Sequence, residues 1–271
     1  MAEDIQPSSL ELLDPDLHVA AFFVPPGSRA DVLALMVFEV ELARIATQVS
    51  EPMVAQIRYA WWREQVDAIH GGRPVAAPSA VALKGIVSRY QLPRTLLDDM
   101  IDAHARDCDT APFSTFEDFE THGAATIGNL MKLACRVLGA GDRADHACAL
   151  AGKAYGGARQ LQGFSHWCHH RRLRVPLDRV LALGLSETDV FSDVSARGRL
   201  APLFAELKQT LRKNLSELNR SRFPRAATPV LSLASLARPV SREGHDPLRS
   251  PVTSPAERVV RLAMANLLWR F

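Results

Sequence analysis

An all-α fold follows from three features of this 271-residue chain. Strand signals are nearly absent. Apolar residues recur at helical spacing through long segments. Prolines and glycines stand where those segments begin and stop, which is the punctuation of consecutive helices. Breaks between the long segments are short, so the reading is one domain over residues 1–271, with 47% hydrophobic content to build a single large core.

Taken in order, residues 1–17 are polar and hold Pro7 and Pro15, which predicts an irregular lead-in. Ser28 or Asp31 is a candidate N-cap for a helix that contains the apolar run 32–37 and reaches about Val49. Ser50-Glu51-Pro52 breaks it, and Pro52 suits the first turn of the next helix. That helix carries Ile57, Trp61, Trp62, Val66 and Ile69 until His70-Gly71-Gly72 stops it. A Pro-rich link at 74–78 precedes a helix over about 81–90, and Pro93 opens another. A long helix is predicted over 115–138, capped at Ser114 with Glu117 three residues on. Residues 144–166 continue the helical pattern, with Ala151, Gly152, Ala154, Gly156, Gly157 and Ala158 permitting close helix contact. Residues 200–218 are amphipathic and basic on one side, 228–237 are apolar enough for a helix, and 238–254 read as a loop. A helix over 255–271 closes the chain.

Several pieces carry recognisable phrasing. Phe22-Phe23-Val24-Pro25 with Arg29, the run 38–43, Val49-Ser50-Glu51-Pro52, Ile57-Arg58, Trp61-Trp62-Arg63-Glu64, Tyr90-Gln91-Leu92-Pro93, Ala154-Tyr155-Gly156, the run 172–176 and Trp269-Arg270-Phe271 occur in a telling order. In that order they resemble the squalene/phytoene synthase family over most of the chain. The resemblance implies the isoprenoid (terpenoid) synthase fold, a single helical domain around a central cavity. Catalytic members join two allylic diphosphates head to head and carry two Asp-x-x-x-Asp motifs on facing helices. Acids at i and i+4 share a helix face, so each motif offers oxygen donors to Mg²⁺ ions that bridge the diphosphates.

In this chain the first motif falls at Ala43 and Thr47 and the second at Gly163 and Trp167, none of them acidic. No Asp or Glu stands anywhere between Tyr155 and Pro176. Glu39 and Glu41 are the nearest acids to the first position, but residues two apart point about 200° apart around a helix. They read as a polar stripe on an otherwise buried helix. The phrasing at 38–43 and 49–51 is similar to the family's mitochondrial branch of complex I assembly factors. That resemblance implies a non-catalytic binding or assembly role, with a protein partner or membrane complex, no catalytic residue and no cofactor. The alternative is a head-to-head prenyl transferase, using Mg²⁺ on relocated ligands. A carrier for an isoprenoid diphosphate or a lipid is a third reading.

Three groups of residues bear on those alternatives. Asp98-Asp99-Met100-Ile101-Asp102 spells D-D-x-x-D and supplies carboxylates at i and i+4, so Asp98, Asp99 and Asp102 are the metal candidates for the enzyme reading. Acids early in a helix also favour the macrodipole without any ligand. Arg44, Arg63 and Arg159 lie on helices that line the cavity in the resembled fold, where they would bind an anion or isoprenoid diphosphate; salt bridges are the plain alternative. His166 and His170 have two-histidine helical spacing, but no third metal ligand is evident, and with Arg171, Arg172 and Arg174 they read as a basic, anion-binding rim. The last helix is amphipathic and suits either a membrane interface or, more commonly, packing on its own core.

The charges divide unevenly. Residues 1–150 hold 12 Lys+Arg against 21 Asp+Glu, and residues 151–271 hold 20 against 9. This asymmetry fits either an anionic partner of the second half or attraction between the halves. Cys108, Cys135, Cys148 and Cys168 lack C-x-x-C spacing and read as thiols in a reducing compartment. No apolar run reaches the roughly 18 residues of a membrane span, and the acidic start is unlike a leader. The expected location is cytoplasmic, with a peripheral position at the inner membrane as the finer expectation. Basic residues show no aromatic interleaving, so nucleic acid is not an expected partner.

Overall fold

In the computed structural model, which describes residues 7–49, 51–108, 111–249 and 253–271, prolines open most of the long helices. These are α1 (Pro26–Gln48), α2 (Pro52–His70), α3 (Pro78–Tyr90), α4 (Arg94–Ala105), α5 (Phe116–Gly123), α6 (Asn129–Val137), α7 (Asp145–Gln162), α8 (Ala201–Arg220) and α9 (Pro255–Leu268), linked by shorter helical turns. Proline at the first position loses no hydrogen bond, because that N–H has no helical acceptor anyway. Gly71 and Gly72 end α2, and Gly72 takes the left-handed φ of 72° that glycine tolerates best. Among the described residues the only β pairing is an isolated parallel bridge between Phe113 and Pro176.

The lead-in is helical rather than irregular from Pro7 onward: a 3₁₀ turn at Pro7–Ser9, then Leu10–Leu13 and Pro15–Ala21. The prolines taken for breakers act as starters here. Asp14 caps the second piece by accepting from Leu17 N at 3.1 Å. Residues 1–6 lie outside the described residues. Helix α1 begins at Pro26, ahead of both expected caps, and Asp31 instead accepts from Arg89 Nη1 (2.8 Å) and Tyr90 Oη (2.7 Å), tying α1 to the end of α3. The cap of α5 is Thr115, one residue later than expected, in a reciprocal box with Asp118. Of the expected loop at 238–254, residues up to Val240 belong to the helical turn Ala237–Val240, and 250–252 lie outside the described residues.

The predicted helix over 115–138 is present, but a wider π turn at Ala124–Gly128 separates α5 from α6. There α7 crosses so closely that a Cβ on Gly152 would stand 2.5 Å from Gly128 Cα, and one on Gly156 would stand 2.7 Å from Gly123 Cα. The small-residue stripe on α7 therefore lets two backbones touch. Helix α7 also packs against α8. One apolar cluster runs from Leu10 to Phe271 through all these elements.

Candidate functional site

Glu39, in the middle of the most apolar stretch of α1, is 3% exposed. It does not lie on a polar stripe. A buried carboxylate must find a partner or be neutralised, and Glu39 finds His104 of α4, whose Nε2 lies 3.1 and 3.0 Å from its two oxygens. His104 Nδ1 reaches Asp107 Oδ2 at 3.4 Å, and Asp107 Oδ1 takes His122 Nε2 at 2.7 Å. Arg174 Nη2 also donates to Asp107 Oδ1. The α1, α4, α5 and 172–176 segments thus meet in one enclosed polar network.

Local structure aims each member. Asp107 sits on the 3₁₀ turn Arg106–Cys108 that follows α4, and His122 lies just before the π turn. Leu177 N donates to Phe113 O (2.8 Å) beside the Phe113–Pro176 bridge, which places the Arg174 guanidinium 4.6 Å from the Phe113 ring centroid and 5.8 Å from that of Trp167.

The electrostatics are self-contained. Burial opposes a charge on His104, but Glu39 and its bonds to Asp107 and Glu39 raise its pKa to about 9. Burial likewise opposes the Asp107 carboxylate, yet Arg174 and His122 hold it well below the usual carboxylate range. Tyr59 Oη donates to Leu42 O at 3.0 Å, and burial followed by the neighbouring Cys108, Asp107 and Glu39 raises its pKa, so it stays neutral. Every Glu39 and Asp107 oxygen is already engaged. This arrangement locks helices together and presents no open carboxylate to a metal. Among the described residues no group of three or more His, Cys, Asp or Glu is arranged to hold one.

The two positions where acids would be needed flank this network. At the first, Ala43 is half-buried and Thr47 is exposed, with its hydroxyl donating to Arg44 O at 3.0 Å. At the second, the Trp167 indole lies against Gly163 so closely that a Cβ there would meet Nε1 at 2.9 Å. Arg172 Nη1 joins the two regions, donating to Ala46 O (2.9 Å) at the C-terminal end of α1 and to Asp107 O (3.0 Å). A fixed guanidinium beside the negative end of α1 supplies positive charge there without a metal ion.

The other predicted residues scatter. Arg63 pairs with Asp102 at 2.7 Å on the outer surface, and Arg94 holds Asp98 at 2.9 Å, while Asp99 is exposed. The D-D-x-x-D row therefore faces solvent and its own arginines. Arg159 pairs with Asp14 at 2.6 Å in a polar hollow of about 180 Å³ shared with Asp16 and Arg258. Arg44 is half-buried near the end of α1. Arg63 and Arg159 are thus held in separate ion pairs, whereas Arg172 reaches Ala46, two residues along α1 from Arg44. The histidines do not share a rim with all the arginines beside them: the His166 and His170 rings lie 4.6 Å apart, tilted by 58°, on the surface, but Arg174 is 5% exposed and Arg172 turns inward.

The architecture is the isoprenoid synthase fold, and the four positions expected to carry its metal-binding acids hold alanine, threonine, glycine and tryptophan. It superposes on a squalene synthase, HpnC of Alicyclobacillus acidocaldarius, with a TM-score of 0.65 at 16% identity, covering 97% of this chain and 95% of that one. A dehydrosqualene synthase in complex with ligand gives 0.78 at 14% identity, covering 97% and 94%. The chain belongs to the squalene/phytoene synthase family, whose model matches residues 12–258. Among curated relatives, NADH dehydrogenase (ubiquinone) complex I, assembly factor 6 of Bos taurus is 32% identical over 184 residues, 66% of this chain and 55% of that protein. The Homo sapiens protein is 30% identical over the same spans. A phytoene synthase of Cereibacter sphaeroides is 27% identical over 134 residues, 44% of this chain and 37% of its own length. The chain thus spans about half the length of the assembly factors it matches.

Proposed function

We propose that this chain is a non-catalytic assembly factor for a respiratory membrane complex, working by binding at the cytoplasmic face of the inner membrane. The observation that carries this reading is the replacement of both acid pairs, with Trp167 folded over Gly163 and Arg172 fixed between the two regions. Its similarity to complex I assembly factors supports the same direction. The alternative, a head-to-head prenyl transferase, would need Mg²⁺ ligands that Asp98, Asp99 and Asp102 are poorly placed to provide.

Docking requires surface, and two helices offer it. Met53, Val54, Ile57 and Trp61 are exposed along α2. On α9 only Leu262 and Ala265 are buried, while Val259, Val260, Met264, Leu267 and Leu268 face outward with Trp269. The helix packs on the core through Leu262 and Ala265, as expected, and leaves its other apolar residues exposed. Contiguous exposed apolar faces of this kind mark protein or membrane contacts. Arg225 stacks over Trp269 at 4.6 Å and adds a cation at the edge of the α9 face. No described helix is long and apolar enough to cross a membrane.

Deleting the gene in its host and resolving respiratory complexes on native gels tests the proposal. Complex I is expected to fail to accumulate and to be restored by the intact chain, but not by one carrying Ile57→Asp and Val260→Asp. Normal complex I in the deletion strain contradicts it.

A further inference from the structure

A second part of the molecule has the makings of a ligand site, independently of the assembly reading. Between α8 and the 243–248 segment lies a cavity of about 560 Å³. Phe204, Pro247 and Leu248 form an apolar part of its wall, and Arg197, Lys208 and Arg212 bring three cations to it. Its volume falls within the roughly 300–1,000 Å³ of small-molecule sites.

The cations are held in place by the main chain. Arg197 donates to Val190 O (2.8 Å) and Phe191 O (3.0 Å), Lys208 to Glu243 O (3.4 Å) and His245 O, and Arg212 to Ser241 O. All these acceptors are main-chain carbonyls. Lys208 is 7% exposed, and burial lowers its pKa, with Asp246 and Glu243 acting against that shift and Arg212 with it. Nε2 of His245 is buried with no hydrogen-bond partner. Two acids also line the cavity. Glu243 is exposed at its edge, and Asp246 accepts from Leu248 N at 3.0 Å with Arg249 at 3.7 Å, so the cations keep the majority.

We infer that this cavity binds a phosphate monoester, with Arg197, Lys208 and Arg212 around the phosphoryl group and the apolar wall against its organic part. A planar carboxylate matches one guanidinium fork, whereas several converging donors match the three terminal oxygens of a phosphoryl group. The apolar wall and the volume favour an ester over free phosphate. The phosphoryl group could belong to a soluble metabolite or to a lipid head group.

Calorimetric titration of the full chain distinguishes these cases, using phenyl phosphate, a short-chain dialkyl phosphatidate, inorganic phosphate and benzoate at fixed ionic strength. Phenyl phosphate is expected to bind at least about tenfold more tightly than inorganic phosphate or benzoate, and Arg212→Gln or Lys208→Met to weaken it about tenfold or more, as loss of a charge-assisted hydrogen bond requires. Arg212 is exposed, so its variant should melt with the parent chain. Preference for the phosphatidate over phenyl phosphate supports the site with a lipid source. No binding of either ester, or undiminished binding in both variants, overturns the proposal. Equal affinity for inorganic phosphate or for benzoate overturns the ester assignment.

Discussion

Burial alone would strip the proton from His104, and the Glu39 and Asp107 carboxylates reverse that, setting its pKa at about 9. Because this lies above the roughly 6.5 of an unfolded histidine, the stability it contributes is complete below about pH 6.5 and is lost as pH rises through the folded value. The shift corresponds to about 3 kcal/mol. Asp107 runs the opposite way: its contribution is complete above the ordinary carboxylate range and is lost only in stronger acid. The melting temperature should therefore fall between pH 7 and 9 and level off beyond. His104→Gln should cost roughly 3–5 kcal/mol at pH 7 by leaving buried charge unpaired, and should flatten that decline in a pH series of thermal melts. A variant with the parental slope would assign the pH dependence elsewhere. Sequence gave little notice of this network, since its members come from five segments spread between residues 39 and 174. The one available signal is Glu39, which with Glu41 interrupts an otherwise apolar helical run.

Helix contacts were half legible. The glycines and alanines at 151–158 announce a close crossing, but not that its partner is the π turn between α5 and α6. A Cβ on Gly152 would meet Gly128 Cα at 2.5 Å and Gly123 O at 2.7 Å, and backbone cannot swing aside as a side chain can. Gly152→Ala should destabilise by roughly 1–3 kcal/mol or more in urea unfolding. Gly85→Ala is the control: it lies on the exposed face of α3 with nothing within 4 Å, and should stabilise by up to about 1 kcal/mol. Equal effects at the two sites would mean that the crossing is looser than described. Most helix starts were readable because proline and capping chemistry are local. The helical lead-in is not legible in the sequence, because Pro7 and Pro15 start helices as readily as they break them, and only tertiary packing decides which. The turns Leu177–Ala182 and Glu187–Ser192 are not among the elements expected from the sequence, although Ser186 and Asp189 form a reciprocal capping box.

At the scale of the whole molecule, the uneven charge is partly consumed inside the fold. Arg159–Asp14, Arg174–Asp107 and Arg258–Asp16 each join a base of the second half to an acid of the first. The remaining positive charge includes the cations of the 560 Å³ cavity and the arginine beside Trp269. The absence of acids between Tyr155 and Pro176 was legible without any structure. What fills their place was not, because the inward turns of Trp167, Arg172 and Arg174 depend on packing against α1, α4 and α5. If the proposed function holds, this isoprenoid synthase fold does not carry out prenyl transfer. The most direct test is Mg²⁺-dependent release of pyrophosphate from farnesyl and geranylgeranyl diphosphate by the purified chain. Release no faster than from a heat-treated control is the result predicted; sustained turnover above that control would contradict the account and return the D-D-x-x-D row to consideration as a metal site.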